Sequence, residues 1–451
     1  MTDESLGRRT YIGYAMGSVG TAGFATVPGL LLAYYLTNSL GVAAAVAAVV
    51  VLIPKLWDVA FLPIVGTLSD RSAQRRRSRR PFLLVGGVSL PVVFILMFSA
   101  PSGLGTGFAA AWVLVFFLLA ASAFAIFQVP YIAMPAEITG SVEERTTMMS
   151  WRVAFLAFGI LIFGVGAPAL RDAADGGARG YFAMAVGVAS LIAVGMLVCW
   201  WMLRRTRDVP LDETEAPSHS LRQQFAVAWQ TRAFRLLLSA FVIQALATGA
   251  MLAAAQYFAT YVMGEEGLSD VLFAALIVPA LIVMPLWAWV GHRYGKRFGY
   301  TASSLVFMFG ALALLTARLV PSALILAMVA LCGIGYAGMQ MYPLAMLPDA
   351  IAADSAATGQ QRAGSFTGVW TAGETIGFAV GPALVLLMLA VSGFISSSDG
   401  IVPQPQSAQT GVLLTFSVLP AVLVAASLPL IRRFRLEPTG PALEDSHEHP
   451  A

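Results

Sequence analysis

The chain has 451 residues, of which 58% are hydrophobic and only 11% charged, and its net charge is +3. Soluble domains carry about a quarter charged residues, so a water-soluble globular fold is excluded. The two cysteines, Cys199 and Cys332, lie in apolar runs and the four histidines have no metal-ligand spacing, which leaves no basis for disulfide or metal chemistry.

No Asp, Glu, Lys or Arg occurs from Thr10 to Pro54 or from Pro81 to Ala136. A helix needs about 20 apolar residues to cross the hydrocarbon core, so each interval holds two crossings. Continued along the chain, this reading predicts spans centred near residues 24, 54, 91, 122, 158, 191, 249, 280, 308, 335, 380 and 421. In lipid only helices and closed barrels satisfy the backbone, and these runs are too long and apolar for barrel strands. The expected fold is therefore all-α and membrane-embedded. No cleavable signal pattern precedes the first span.

The spans divide six and six: a bundle over 1–203, a linker over 204–235, a second bundle over 236–435 and an acidic, disordered tail over 436–451. Within the linker, Asp208–Ser220 is acidic and Leu221–Leu236 has the apolar spacing of an amphipathic surface helix. All but five of the 27 Lys and Arg fall on one side if both termini are cytoplasmic. The exceptions are Lys55 and Arg152 within spans, and Arg171, Arg179 and Arg318 outside. This bias places the protein in the plasma membrane with both termini inside.

After the second span the sequence reads Gly66-Thr-Leu-Ser-Asp70-Arg71, then a run of arginines to Arg80-Pro81. A glycine permitting close helix approach, an acid at a helix end and a basic loop would form a latch that pairs in one conformation and breaks in another. Plain positive-inside anchoring is the simpler reading of the basic run. The second half repeats the glycine and basic parts in Gly291-His-Arg293-Tyr-Gly295-Lys296-Arg297, without the acid.

Four further segments complete the pattern: Lys55-Leu-Trp57-Asp58 with Pro63; Gln128-Val-Pro130-Tyr131 with Pro135-Ala-Glu137, Glu144-Arg145 and Arg152; Leu347-Pro-Asp349 with Thr358-Gly359 and Arg362; and Tyr34-Tyr35-Leu-Thr37. In this order the chain resembles the glycoside–pentoside–hexuronide:cation symporters of the major facilitator superfamily. The resemblance implies two six-helix bundles around a midplane site, and transport of a sugar or glycoside. It also exposes departures. The family's second helix-two acid falls on Leu62, its helix-four acid on Gln128, and its helix-one sugar-binding acid on Ala22. A sodium site would lack most of its oxygens, whereas one carboxylate suffices for a proton, so proton coupling is expected over sodium.

Intramembrane charges are costly and mark function by default. Asp58 lies about 15 Å from the inner end of its helix, at 1.5 Å per residue, and Glu374 sits at similar depth in the other half. These two, with Lys55, are the candidate coupling residues. Lys55 and Asp58 could instead form a structural pair, and Glu374 could pair with Arg152 or Lys55. Gly373, Gly377 and Gly381 beside Glu374 would let helices approach. Candidate solute contacts are Gln128, Tyr131, Arg152, Gln256, Tyr257, Gln340 and Trp370. Arg152 could equally snorkel to the inner surface, and Gln244 and the aromatics could serve packing. Candidate gating residues are Gly66, Asp70, Arg71, Glu137, Arg145, Asp349 and Arg362, with Glu137 facing Arg145 or the basic loop.

No nucleophile–base set, zinc-protease motif or phosphate loop points to an enzyme, and no filter segment points to a channel. The expected partners are a small-molecule solute and the bilayer, without nucleic acid, cofactor or metal, and the protein is expected to be monomeric. Carriage or export of an amphipathic solute such as a lysolipid is the competing reading, and uncoupled facilitation a third. The topology is testable: a cysteine introduced at Gly400 should react with an impermeant thiol reagent in intact cells. Reaction only after permeabilisation would break the twelve-span arrangement.

Overall fold

The computed structural model describes residues 6–76, 78–101, 103–139, 141–174, 176–204, 206, 229–358, 363–398 and 401–435. Among them are twelve helices long and apolar enough to span a membrane. In the first half these are α1 (Arg8–Asn38), α2 (Ala44–Arg76), α3 (Arg80–Met97), α4 (Thr106–Ile138), α5 (Val142–Ala173) and α6 (Ala178–Leu203). The second half holds α7 (Arg232–Met263), α8 (Ser269–Tyr294), α9 (Lys296–Leu319), α10 (Ser322–Thr358), α11 (Ala363–Val391) and α12 (Gln406–Arg433). All twelve are centred within about six residues of their predicted positions. The protein is an all-α membrane protein.

Both halves use the same set of neighbours. α1 packs on α5 and α6, α3 on α4 and α6, and α2 on α4; correspondingly α7 packs on α11 and α12, α9 on α10 and α12, and α8 on α10. Lipid gives helices no hydrophobic reason to associate, so close van der Waals approach must supply it. Glycines make that approach possible. A Cβ on Gly381 would lie 2.5 Å from the Ala250 backbone nitrogen, and one on Gly377 would lie 2.8 Å from Ala245 Cβ. The glycine stripe of α11 is thus seated on α7. Between α8 and α9 the chain reverses at Gly295, whose φ of +90° favours glycine.

Two boundaries differ from expectation. Arg232 and Arg235, expected in the linker, form the first turn of α7, because the Thr231 hydroxyl donates to Asp354 Oδ1 at 2.8 Å and ties the chain to α10 there. Most of the linker, including residues 221–228 of the expected amphipathic segment, and the acidic tail lie outside the described residues, and the rest of that segment leads into α7. Arg171, counted with the external segments, occupies the last turn of α5 and is buried. Its guanidinium pairs with Asp172 at 2.5 Å and lies over the rings of Tyr34 and Tyr181, at 5.9 and 5.7 Å.

The bundles meet through α2–α11 and α5–α8, and through a polar seal at the end away from the termini. α1 and α7 each pass through a π-helical turn, Pro28–Leu32 and Ala259–Met263, where they approach one another. Here Thr37 Oγ1 and the Tyr257 hydroxyl share a hydrogen bond of 2.7 Å, and Tyr34 and Thr260 share one of 3.2 Å. Asn38 donates to the Tyr261 hydroxyl, and the Ser397 N–H donates to the Thr37 carbonyl at 3.0 Å. Phe394 packs edge-on to both Tyr257 and Tyr261.

An interhelical hydrogen bond inside a membrane contributes on average about 0.6 kcal/mol. Thr37→Val or Tyr257→Phe should therefore raise the open population of this end about threefold. Distance distributions between spin labels at positions 40 and 265 report it. An unchanged distribution in both variants would assign the closure to packing alone.

Candidate functional site

The first half builds its site from α1, α2, α4 and α5. α2 places Lys55 and Asp58 one turn apart, with Asp58 buried and Lys55 partly so. The ammonium does not settle on the carboxylate; no ion pair within 4.0 Å joins them. It lies instead between two rings, 5.6 Å from that of Phe24 on α1 and 5.8 Å from that of Phe117 on α4. A desolvated cation gains about 2 kcal/mol or more from such a ring face, which competes with a carboxylate one turn away. The neutralising pair that the spacing allows, the alternative reading of these two residues, is not formed in this conformation. Asp58 Oδ1 is left buried without a hydrogen-bond partner among the described residues.

Arg152 on α5 lies over the Tyr131 ring at 5.6 Å, and its Nε is also buried without a hydrogen-bond partner. No carboxylate pairs with it among the described residues. Tyr131 is itself held by the bundle: its hydroxyl lies 2.8 Å from Ser18 Oγ and donates to the Tyr14 carbonyl, and its ring stacks on Tyr14 at 4.7 Å. It therefore positions Arg152 and offers a ring face rather than a free hydroxyl. Gln128 precedes it by one turn, half-buried, with Oε1 unpartnered.

In the second half, α11 carries Trp370 and Glu374 one turn apart. Trp370 stacks on Phe241 with centroids 4.5 Å apart, and its indole N–H is buried without a partner. Glu374 lies within electrostatic reach of Tyr336 on α10, whose hydroxyl accepts from Gln340 Nε2 at 3.2 Å. Glu374 forms no ion pair with Lys55 or Arg152 here. Gln256 is buried, and Tyr257 belongs to the seal. Gln244 donates to Ser304 and Ser427 at 2.9 and 2.8 Å, pinning α7 to α9 and α12, while its Oε1 is buried without a hydrogen-bond partner among the described residues.

The expected gating residues gather at the terminus-bearing end. Glu137 pairs with Arg79 of the basic loop at 2.8 Å, while Arg145 donates from Nε to the Thr139 carbonyl. Lys296 pairs with Asp349 at 2.6 Å and donates to the Ala345 carbonyl. The loop after α2 is thereby tied to α4, and the loop after α8 to α10. Arg71 is exposed. The Asp70 side chain and Arg362 lie outside what the structure describes.

Gly66 does not mediate a close approach in this conformation: a Cβ there would meet nothing within 4 Å. At its counterpart Gly291 a Cβ would lie only 2.9 Å from the Tyr342 ring. No atom of the described residues packs on α2 at Gly66 in this conformation.

Several participants were not legible in sequence. Phe24 and Phe117, which hold the ammonium, look like any apolar span residue. Asn38, Thr260 and Tyr261 of the seal carry no charge to mark them. The only available signal was a cluster of hydroxyl and aromatic residues at the ends of spans one and seven.

The sequence pattern of the MFS/sugar transport protein family matches residues 13–438. The putative glycoside/cation symporter YagG of Escherichia coli K12 is 26% identical, covering 94% of this chain and 91% of its own length. Sodium-dependent lysophosphatidylcholine symporter 1 of the mouse is 23% identical, covering 75% of this chain and 69% of its own. A crystal structure of a bacterial homologue of the human lysosomal transporter Spinster superposes with a TM-score of 0.68 at 14% identity, covering 95% of this chain and 98% of that one; at that identity the likeness is one of fold. The twelve-helix fold and the family match together make this chain a secondary transporter and not an enzyme, a member of the MFS/sugar transport protein family and of the glycoside–pentoside–hexuronide:cation symporters within the major facilitator superfamily.

Proposed function

We propose that the protein carries a sugar or glycoside together with a proton, by alternating access between its two bundles. The observation that carries this reading is Asp58, a buried carboxylate whose Oδ1 has no hydrogen-bond partner and which no cation contacts directly. Lys55 is held back by two aromatic rings, so it tempers the carboxylate's charge by field without occupying it. With Leu62 and Gln128 where the family has further acids, little remains to complete a cation shell, which for sodium needs several oxygens. A proton needs only the one carboxylate. Glu374 on α11 is the second candidate carrier.

The solute is taken between the halves, with Arg152 and Gln128 on one wall and Gln340, Trp370 and Glu374 on the other. Unpartnered polar atoms on Arg152, Gln128 and Trp370 are the groups a hydroxylated solute would satisfy. The seal of Thr37, Tyr257, Tyr34 and Thr260 closes one face of the bundles, while Gly66 is uncovered at the other. This is the arrangement of a carrier facing the terminus-bearing side, which the positive-inside bias places in the cytoplasm. Asp70 and Arg71 then act when the surface around Gly66 is covered.

One observation favours an amphipathic solute. Ala22, where the family has a sugar-binding acid, is buried, and a Cβ on Gly159 of α5 would lie 2.7 Å from its own. That wall offers packing instead of a carboxylate. Counterflow in proteoliposomes with a panel of sugars and lysolipids separates the two readings.

Coupling is tested by Asp58→Asn and Glu374→Gln. In a proton gradient, the variant lacking the coupling acid should lose uphill accumulation, a tenfold or greater loss, while retaining solute exchange. Accumulation preserved in both variants, or uptake driven by sodium alone in the wild type, would overturn proton coupling through these acids.

A further inference from the structure

At the terminus-bearing end, two cations converge on one indole. The Arg9 guanidinium, in the first turn of α1, lies 5.1 Å from the Trp201 ring centre. The Arg204 guanidinium, capping the C-terminus of α6, lies 5.7 Å from the same ring and 5.6 Å from that of Trp200. Trp201 is 48% exposed, and both arginines are exposed.

Among the described residues neither guanidinium is neutralised. No carboxylate of the described residues pairs with Arg9 or Arg204, and the first turn of α1 contains no acid. The nearby Glu144 is already engaged, accepting from the Leu6 N–H at 2.7 Å and from the Thr139 hydroxyl at 2.5 Å. Two like charges drawn to a single ring repel one another, and about 1 kcal/mol of cation–π attraction at an exposed site does not by itself explain their convergence. An anion between or beside them does.

The position decides what kind of anion. Trp201 sits at the end of a membrane-crossing helix, where indoles occupy the headgroup level. Arginine grips phosphate through a fixed fork of donors, and basic clusters between helix ends are sites for anionic lipid headgroups.

We propose that Arg9, Arg204 and Trp201 form a binding site for the headgroup of an anionic phospholipid in the leaflet facing the chain termini. The guanidiniums hold the phosphate while the indole and the apolar flanks of α1 and α6 lie against the glycerol and upper acyl chain. The site joins the N-terminus of α1, one of the two seal helices, to α6.

Full-length protein in phosphatidylcholine nanodiscs doped with phosphatidylglycerol provides the test, read as the phosphatidylglycerol retained per protein relative to phosphatidylcholine. Each basic residue near the membrane surface contributes about 1 kcal/mol of attraction to anionic lipid, or about fivefold. Arg9→Gln with Arg204→Gln should lower preferential retention about 25-fold. Trp201→Leu, which keeps both charges but removes the ring that gathers them, should lower it severalfold. Arg8→Gln removes an equal charge from a residue that contacts neither ring and should have a smaller effect than Arg9→Gln. Equal loss in Arg8→Gln and Arg9→Gln, or no loss in Trp201→Leu, would reduce the cluster to diffuse surface charge. Displacement of the lipid by millimolar glycerol phosphate would show a soluble-phosphate site and overturn the assignment to lipid.

Discussion

Hydrocarbon solvates neither a backbone amide nor a charge, and every feature of this molecule follows from that constraint. It makes all twelve spans helical, since a helix satisfies its own peptide groups. It removes the hydrophobic drive between helices, so α7 and α11 are joined by a glycine stripe that brings backbones into contact. It also makes each intramembrane charge expensive, so most are held by specific neighbours, and Asp58 Oδ1, left without a partner among the described residues, stands out.

Lys55 and Asp58 show how packing resolves such a cost. One turn apart on a helix, they are placed to neutralise each other. The fold instead offers the ammonium two ring faces from different helices, Phe24 and Phe117. The carboxylate is left buried and without a direct cationic contact among the described residues. Arg152 has a similar standing, with a tyrosine face behind it and no acid in front.

The two halves solve their terminal loops alike and their opposite ends jointly. Arg79–Glu137 and Lys296–Asp349 occupy corresponding places, each fixing an interhelical loop to the fourth helix of its own bundle. Those ion pairs each lie within one bundle. The seal, by contrast, is built between bundles from neutral hydroxyls and an amide. Neutral interhelical bonds are weak, and two of the helices bearing them carry a π-helical turn at that level. A closure assembled from several weak contacts can be opened by a modest gain of energy elsewhere, whereas opening an ion-paired interface in lipid would strand charges.

Sequence by itself determined the number and placement of spans, their helical nature, the six-and-six division and the family. Those properties rest on long apolar runs and on motif order, which are local or nearly so. It also singled out Asp58, Glu374, Lys55 and Arg152, because a charge in an apolar run is visible wherever it points. It could not say which partner each would choose. That Lys55 sits against Phe24 and Phe117, that Tyr257 bonds to Thr37 across the two bundles, and that no described atom packs on Gly66 while Gly291 is crowded by Tyr342 were decided by tertiary structure alone. Each depends on bringing together side chains separated by tens to hundreds of residues, and apolar and hydroxyl residues leave no periodic mark that distinguishes a gate or an aromatic slot from ordinary packing.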